Sequence, residues 1–439
     1  MIAVMKKKPP PPDLSKLSDA DKDSMILTLL ERLDALEKVL YKDSHNSSKP
    51  PSSDGLAKKT VSLRESSGKP AGGQIGHKGS NLKRVAQATE VVNHPLPSHC
   101  LRCQQPLPQD AGQVVERRQI LDVPITACQV IEHRALEYVC QCGQSHTSAF
   151  PEKVTEAVQY GPNLRALAVH LTQGQLLPFA RAAQLIHDLY GIAVSPGTLV
   201  AWVAEASNAL RSTAELIELH VRQASILHAD ESGLRVAGKL HWLHIAATQS
   251  HTWYGVHTKR GMEAIAAHGI LPGRLGVLVH DCWAPYWQLD CDHALCNAHI
   301  LRELIYVKEL TKQAWPEKMK NFLLDANKLC EAARGKKRIL DGNDVTAFTT
   351  LYEAILREGE ALNPIASKAD GKRGRARQTV AFNLLYRLRL HGKAVLRFIH
   401  DPNVPFTNNL GERAVRMPKV KQKISGCFRT LDGAYHFSI

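Results

Sequence analysis

Two short apolar runs, Ile226-Leu227-His228-Ala229-Asp230 and Val277-Leu278-Val279-His280-Asp281, each end on an aspartate. A carboxylate at the end of a buried strand is costly unless it is paired or bound to a cation. If the two runs are neighbouring strands of one sheet, Asp230 and Asp281 come close together. Their repulsion is relieved by a divalent ion, and carboxylate oxygens are the hard ligands that Mg2+ (or Mn2+) takes. A third carboxylate would complete a two-metal site, with ions about 3.5–4 Å apart, of the kind that drives phosphoryl transfer. Glu412 in TNNLGERAVR is one candidate, on a helix capped by Asn408 or Asn409 with Arg416 on the same face. Glu303, Asp290 and Asp292 are rivals, and Asp230 alone reads equally as a turn cap before Ser232-Gly233.

The surroundings of these runs define a fold class. From residue 225, SILHADESGLRV, LHWLHIAATQ and HTWYGVHT are three strand-like runs separated by turn residues. GMEAIAAHGIL then reads as helix, GVLVHD as a buried strand, HALC as a further strand and AHILRELIYVKEL as helix. Residues 312–400 are mostly helical and carry the basic runs RGKKR (334–338) and KRGRAR (372–377). This order predicts an α/β fold with a mixed sheet and helices on its faces. Before it, LRALAVHLTQGQ, FARAAQLIHDLYG and TLVAWVAEASNALRSTAELIELHV give three amphipathic helices over about 160–222, with Ser195-Pro196 starting the last. HDLYGIAVSPGTLVAWV fits either a DNA-reading helix-turn-helix or a plain helical bundle.

The N-terminal part is compositionally different. Residues 1–19 form a Lys/Pro tract expected to be disordered. Ile26, Leu29, Leu33, Leu36 and Leu40 repeat at 3, 4, 3, 4, a short heptad seam over 20–42 that either docks on its own chain or pairs with a second copy. Residues 43–93 read as a flexible basic linker. Over 94–151, Cys100-X-X-Cys103 and Cys140-X-Cys142 offer the four thiolates of a structural Zn2+ site, with His99 and His146 as substitutes and four metal-free thiols as the alternative. VVERRQILDVP and CQVIEHRALEYVC between them look like short strands. Of the 439 residues, 56 are Lys or Arg and 42 Asp or Glu, a net charge of +14 that points to polyanions, nucleic acid before anionic membrane. No stretch reaches the roughly 18 apolar residues of a membrane span, and no apolar segment follows the N-terminal lysines. A soluble, cytoplasmic protein is expected.

HADESGLRV, VHDCWAPY, CNAHILREL and NNLGERAVRMPKVKQKISGCFRT, with the GGQIGHKG linker and the paired cysteines, resemble transposases of the insertion-sequence 66 family. The resemblance runs from about residue 20 to the last residue. It implies an RNase H-like catalytic domain over 223–439, with a helical insertion at about 311–400, and a zinc-binding module over 94–151. It implies the catalytic, Mg2+-holding triad Asp230, Asp281 and Glu412, metal-dependent DNA cleavage and 3′-hydroxyl strand transfer. Arg413, Arg416, Lys419, Lys421 and Lys423 would hold phosphates near Glu412. Cys296 and His299, a CxxH after the second aspartate, and Arg302 would support the site, His299 by contacting DNA or the scissile phosphate; the pair also reads as core packing, or as half of a zinc site completed by Cys291 and His293. The implied partners are element ends and target DNA, further copies of the chain, and accessory proteins, on a bacterial nucleoid. Family chains continue past GCFRT, so a C-terminally shortened enzyme is expected. The competing expectations are a non-catalytic DNA-binding remnant and a nuclease without strand transfer.

Overall fold

The computed structural model describes residues 18–40, 43, 45–47, 84–88, 90–108, 113–121, 128–336, 338–367 and 376–439, with the backbone alone for 31, 32 and 34–40. The Lys/Pro tract up to residue 17, most of the 43–93 linker and most of KRGRAR lie outside the described residues. The described residues fall into two compact units: those of Met1–Leu63, Val158–Gln184 and Val194–Ile439, and those of Arg64–Ala157 and Leu185–Ala193. Among them, no helix is long and apolar enough to cross a membrane.

The chain begins with α1 (Asp19–Leu40), started by Ser18, whose hydroxyl accepts the Asp21 amide while Asp21 bonds back. Ile26, Leu29 and Leu33 of the heptad seam are exposed. In the second unit, strands β1 (Glu137–Val139) and β2 (Ser145–Thr147) form a small hairpin. The two strands expected from the sequence here are not both found. Residues 114–121 make no ladder, and only the last residues of CQVIEHRALEYVC do. Val115, Ile120 and Val130 stand exposed, and among the described residues these extended segments have no partner strand that would bury them.

The helical region comprises α2 (Pro162–Val169), one π-type turn, α3 (Phe179–Tyr190), α4 (Pro196–Ala209) and α5 (Arg211–Gln223). Gly191, at φ +68°, ends α3, and the Ser195 hydroxyl caps α4 by accepting the Thr198 amide. The single helix expected from 198 to 221 is two, meeting at Leu210.

Five strands follow: β3 (Ile226–Val236), β4 (Lys239–Ala247), β5 (Thr252–His257), β6 (Val277–His280) and β7 (Asp292–Leu295), with α6 (Met262–His268) before β6. They form one mixed sheet in the order β5-β4-β3-β6-β7, antiparallel from β5 to β3 and parallel from β3 to β7. β6 is buried along its whole length, as a central parallel strand covered on both faces must be. Gly276 sets its start: a Cβ there would lie 2.3 Å from the Ser225 carbonyl, which accepts the Val277 amide. Leu227, Ala229 and Leu278 face α5 and α6, with Val221, Ile265 and Tyr286. Leu234, Val236, Leu243 and Val256 face the opposite side, with Ala414 and Ala434.

After the sheet come α7 (Asn297–Thr311), α8 (Trp315–Gly335), α9 (Gly342–Leu362), α10 (Val380–Leu390), α11 (Gly392–Val395) and α12 (Arg397–His400). Their apolar stripes share one core built on Trp315, Tyr352, Leu385 and Phe398. The chain then returns to the sheet as α13 (Asn409–Ser425) and α14 (Leu431–Ser438). Pro418 lies inside α13 and has no N–H for the Ala414 carbonyl four residues back; the Tyr254 hydroxyl of β5 donates to that carbonyl instead, at 3.0 Å.

Candidate active site

β3 and β6 are parallel, and Ile226 pairs with Val277, Leu227 with Leu278 and His228 with Val279. Continuing that register sets Asp230, the fifth residue of β3, opposite Asp281, the residue that follows β6; β3 runs on to Val236, so the aspartate expected to close its run or to cap a turn before Ser232-Gly233 lies within the strand. Side chains alternate across a sheet, so Asp230 shares the face of Leu234 and Val236, the face that α13 covers. Asp281 immediately follows β6, and its Oδ1 accepts the Trp283 amide at 3.1 Å. Cys282 between them is held at φ +73°, a conformation rare for a residue with a Cβ and typical of strained functional turns.

Asn408 brings Glu412 to this edge. Its buried side chain donates to the Ala229 carbonyl at 2.8 Å and accepts from His228 Nδ1 at 2.8 Å, and its amide lies 3.1 Å from Cys296 Sγ. These bonds fix the start of α13 against β3. Gly411 makes room, since a Cβ there would come within 3.0 Å of the Asn408 amide group. One turn on, Glu412 Oε1 lies 3.2 Å from His299 Nε2 and 3.6 Å from Cys296 Sγ, both from the first turn of α7.

The electrostatics are those of crowded carboxylates. Burial pushes the Asp230 carboxyl up to about 7, and the charges of Glu231, Asp281 and Glu412 add to the rise. Burial raises Glu412, but the hydrogen bond and charge of His299, the charge of Arg302 and the Cys296 hydrogen bond together outweigh it, so this carboxyl titrates below its ordinary value. Burial pushes the Cys296 thiol up to about 12, with the Glu412 charge contributing.

The rival third carboxylates are engaged elsewhere. Glu303 forms a two-point pair with Arg387, Asp292 pairs with Arg397, and Asp290 is exposed. Arg302 stands near enough to lower Glu412 by its charge. Of the basic residues expected near Glu412, the exposed Arg413, Arg416 and Lys423 project from α13 without a bond, among the described residues, that ties them into the fold. Lys419 donates to the Gly233 carbonyl at 2.7 Å. Lys421 is buried, donating to the Thr172 carbonyl at 3.1 Å with the Phe179 ring 5.8 Å away. The Lys421 ammonium is thus bound inside the fold, while Lys419 is half-buried at the edge of β3.

Sequence reading alone passes over Glu231. Its buried carboxylate takes the Tyr286 hydroxyl at 2.6 Å and Arg260 Nη2 at 2.6 Å, and the Arg260 guanidinium lies between the Trp242 and Trp283 rings at 4.9 and 4.4 Å. The adjacent acids of HADE are the one signal of it; nothing in the sequence joins Arg260 to them.

In the second unit, Cys140 and Gly143 close a tight turn, and so do Cys100 and Gln104. Backbone N–H groups of Cys103 and Arg102 lower the Cys100 thiol, as those of Cys142 lower Cys140. Each pair is thus a preformed knuckle. Among the described residues the four sulfurs do not converge on one point, whereas Cys296, His299 and Glu412 do, with ligand atoms all within 4.8 Å.

Residues 157–436 match the model of a family described as Transposase IS66 family, and residues 10–83 match a family of unknown function, DUF6444. The uncharacterized protein y4hP of Sinorhizobium fredii (strain NBRC 101917 / NGR234) is 25% identical over 337 residues, covering 66% of this chain and 56% of that protein. The chain thus spans little more than half the length of this curated relative.

Proposed function

Because the chain belongs to the IS66 family of transposases, we propose that it is a DDE transposase, cutting DNA at the ends of its element and joining the freed 3′-hydroxyl to target DNA. The observation that carries this reading is that the β3–β6 register, continued past β6, sets Asp230 opposite Asp281, with Glu412 close enough to raise Asp230. The strand order, three antiparallel strands followed by two parallel ones, supports an RNase H-like catalytic domain, with α8 to α12 as its helical insertion.

The donor set fits divalent ions. Asp230 and Asp281 offer hard oxygens, and burial with the neighbouring carboxylates disfavours the Asp230 anion until a cation is bound. Bound there, Mg2+ or Mn2+ would polarise the phosphate, activate the attacking oxygen and stabilise the leaving one. Asp230 and Asp281 would hold the ions from the sheet and Glu412 from α13. Asn408 keeps α13 at its height on β3, and the Glu231–Arg260–Tyr286 group fixes β3 next to Asp230. Arg413, Arg416 and Lys423 would grip DNA phosphates. In the first step water attacks the phosphodiester and the 3′-hydroxyl leaves. In the second that hydroxyl attacks a target phosphodiester and displaces a target 3′-oxygen.

The paired knuckles support a structural Zn2+ bound by Cys100, Cys103, Cys140 and Cys142 once the two come together, and the exposed Ile26, Leu29 and Leu33 support self-association through α1. The test is incubation of end-labelled element-terminus DNA and a target duplex with protein in Mg2+ or in chelator. Nicking and joined products in Mg2+ alone are expected. Nicking without joining would point to a nuclease, and retention of DNA with neither to a binding remnant.

A further inference from the structure

Glu412 faces two kinds of chemistry. Toward the sheet are oxygen donors; toward α7 are a thiol and an imidazole. Cys296 caps α7 and His299 lies three residues on, so the helix turn presents both to the same side. The separations fit a tetrahedral ion. With bonds of about 2.3 Å to sulfur and 2.0 Å to nitrogen or oxygen, tetrahedral angles set sulfur and oxygen about 3.5 Å apart and nitrogen and oxygen about 3.3 Å apart. The observed distances are 3.6 Å for Cys296 Sγ to Glu412 Oε1 and 3.2 Å for His299 Nε2 to the same oxygen. The Asn408 amide, 3.1 Å from Cys296 Sγ, gives the sulfur the N–H contact that steadies a thiolate ligand. His299 and Glu412 keep 19% and 31% of their side-chain surface exposed, which leaves a side open for a fourth ligand.

We propose that Cys296, His299 and Glu412 form a second metal site, selective for Zn2+, whose occupation takes Glu412 away from the catalytic carboxylates and arrests cleavage. Sulfur and imidazole select Zn2+ over Mg2+, which requires oxygen and near-octahedral geometry. Binding replaces the thiol proton, which is released to solvent. Glu412 cannot serve both sites with the same oxygen, so the ion acts as an off-switch. The inhibition rests on the triad reading above; the metal site does not.

The experiment uses the full chain. Zn2+ content after equilibration, and the thiolate-to-cobalt charge-transfer band on Co2+ titration, are compared between wild type, Cys296→Ala and His299→Gln, with circular dichroism confirming the fold. Metal held by the other cysteines is common to all three and cancels. Wild type is expected to bind one more equivalent than either variant, with a stronger band than Cys296→Ala. In Mg2+-supported cleavage, each protein scaled to its own zinc-free rate, the inhibitory Zn2+ midpoint is expected to rise more than about 100-fold in His299→Gln, beyond the cost of losing an outer-shell partner. Equal zinc content and equal bands in the three proteins would overturn the site. An unshifted midpoint with a lost equivalent would overturn the switch. If wild type shows no Mg2+-dependent cleavage, the triad reading fails while the cobalt difference still decides the metal site.

Discussion

Burial and charge act together on Asp230. Its folded-state carboxyl titrates near 7, above the ordinary 3.8, because burial and then neighbouring carboxylates disfavour the anion. The folded chain therefore holds a proton that the unfolded chain has already lost between about pH 4 and 7. Stability falls as pH rises through that window, by about 1.4 kcal/mol for each pH unit crossed. Asp230→Asn is expected to be more stable than wild type at pH 8 in chelator, by a few kcal/mol at most, with the difference vanishing near pH 4 and shrinking when Mg2+ is added. Thermal melts at the two pH values, with and without Mg2+, check this; equal melting points at pH 8 would mean that Asp230 is not in a charge-crowded site. The aspartates were legible in the sequence because each closes an apolar run, and carboxylates are rarely spent there. Arg260 and Tyr286 were not, because they reach Glu231 across 29 and 55 residues of chain and share no motif with it.

At the scale of elements, α13 carries Glu412, the third carboxylate of the proposed triad, and its bonds to the sheet set its position. Tyr254 replaces the N–H that Pro418 lacks. Tyr254→Phe should destabilise the fold by about 1–2 kcal/mol, since it strands the Ala414 carbonyl. In a Pro418→Ala background the helix supplies its own donor, so the same change should cost clearly less. A double-mutant cycle in urea reads this coupling, and strict additivity would contradict it. Asn408→Ala removes the tie to Ala229 and His228. It should lower the cleavage rate more than DNA affinity, because it lets Glu412 move while leaving the surface cations in place. A displacement of about 1 Å at a catalytic group can cost on the order of 100-fold. The strands β3, β4 and β5 were readable because their alternating runs are bounded by turns. Residues 114–121 carry a similar composition without pairing, because β pairing needs a partner that local sequence does not specify. The break at Leu210 was hidden because both sides of it keep helical spacing.

Across the whole molecule, the +14 charge is spread widely, and only part of it is free to meet DNA. Replacing Arg413, Arg416 and Lys423 by alanine should weaken binding similarly for all sequences. It should also flatten the salt dependence, by about 0.9 in log–log slope for each phosphate no longer neutralised. Lys421→Ala should instead lower stability, because its ammonium is bound to Thr172 within the fold. Fluorescence anisotropy over a salt series together with urea unfolding separates the two effects. The basic excess was legible in the composition, but which lysines face inward was set by packing. The central claim is that three carboxylates from two strands and a distant helix act as one metal-holding unit. Its most direct measurement is the single-turnover rate of Mg2+-dependent cleavage of element-end DNA by Asp230→Asn, Asp281→Asn, Glu412→Gln and their pairwise combinations, with DNA affinity measured alongside. Groups acting as a unit are strongly non-additive. Each single variant should lose at least about 1,000-fold, on the scale of losing a member of a concerted catalytic set, the pairs should lose little more, and affinity should hardly change. A rate close to wild type in any one of the three, or losses that multiply in the pairs, would contradict the account.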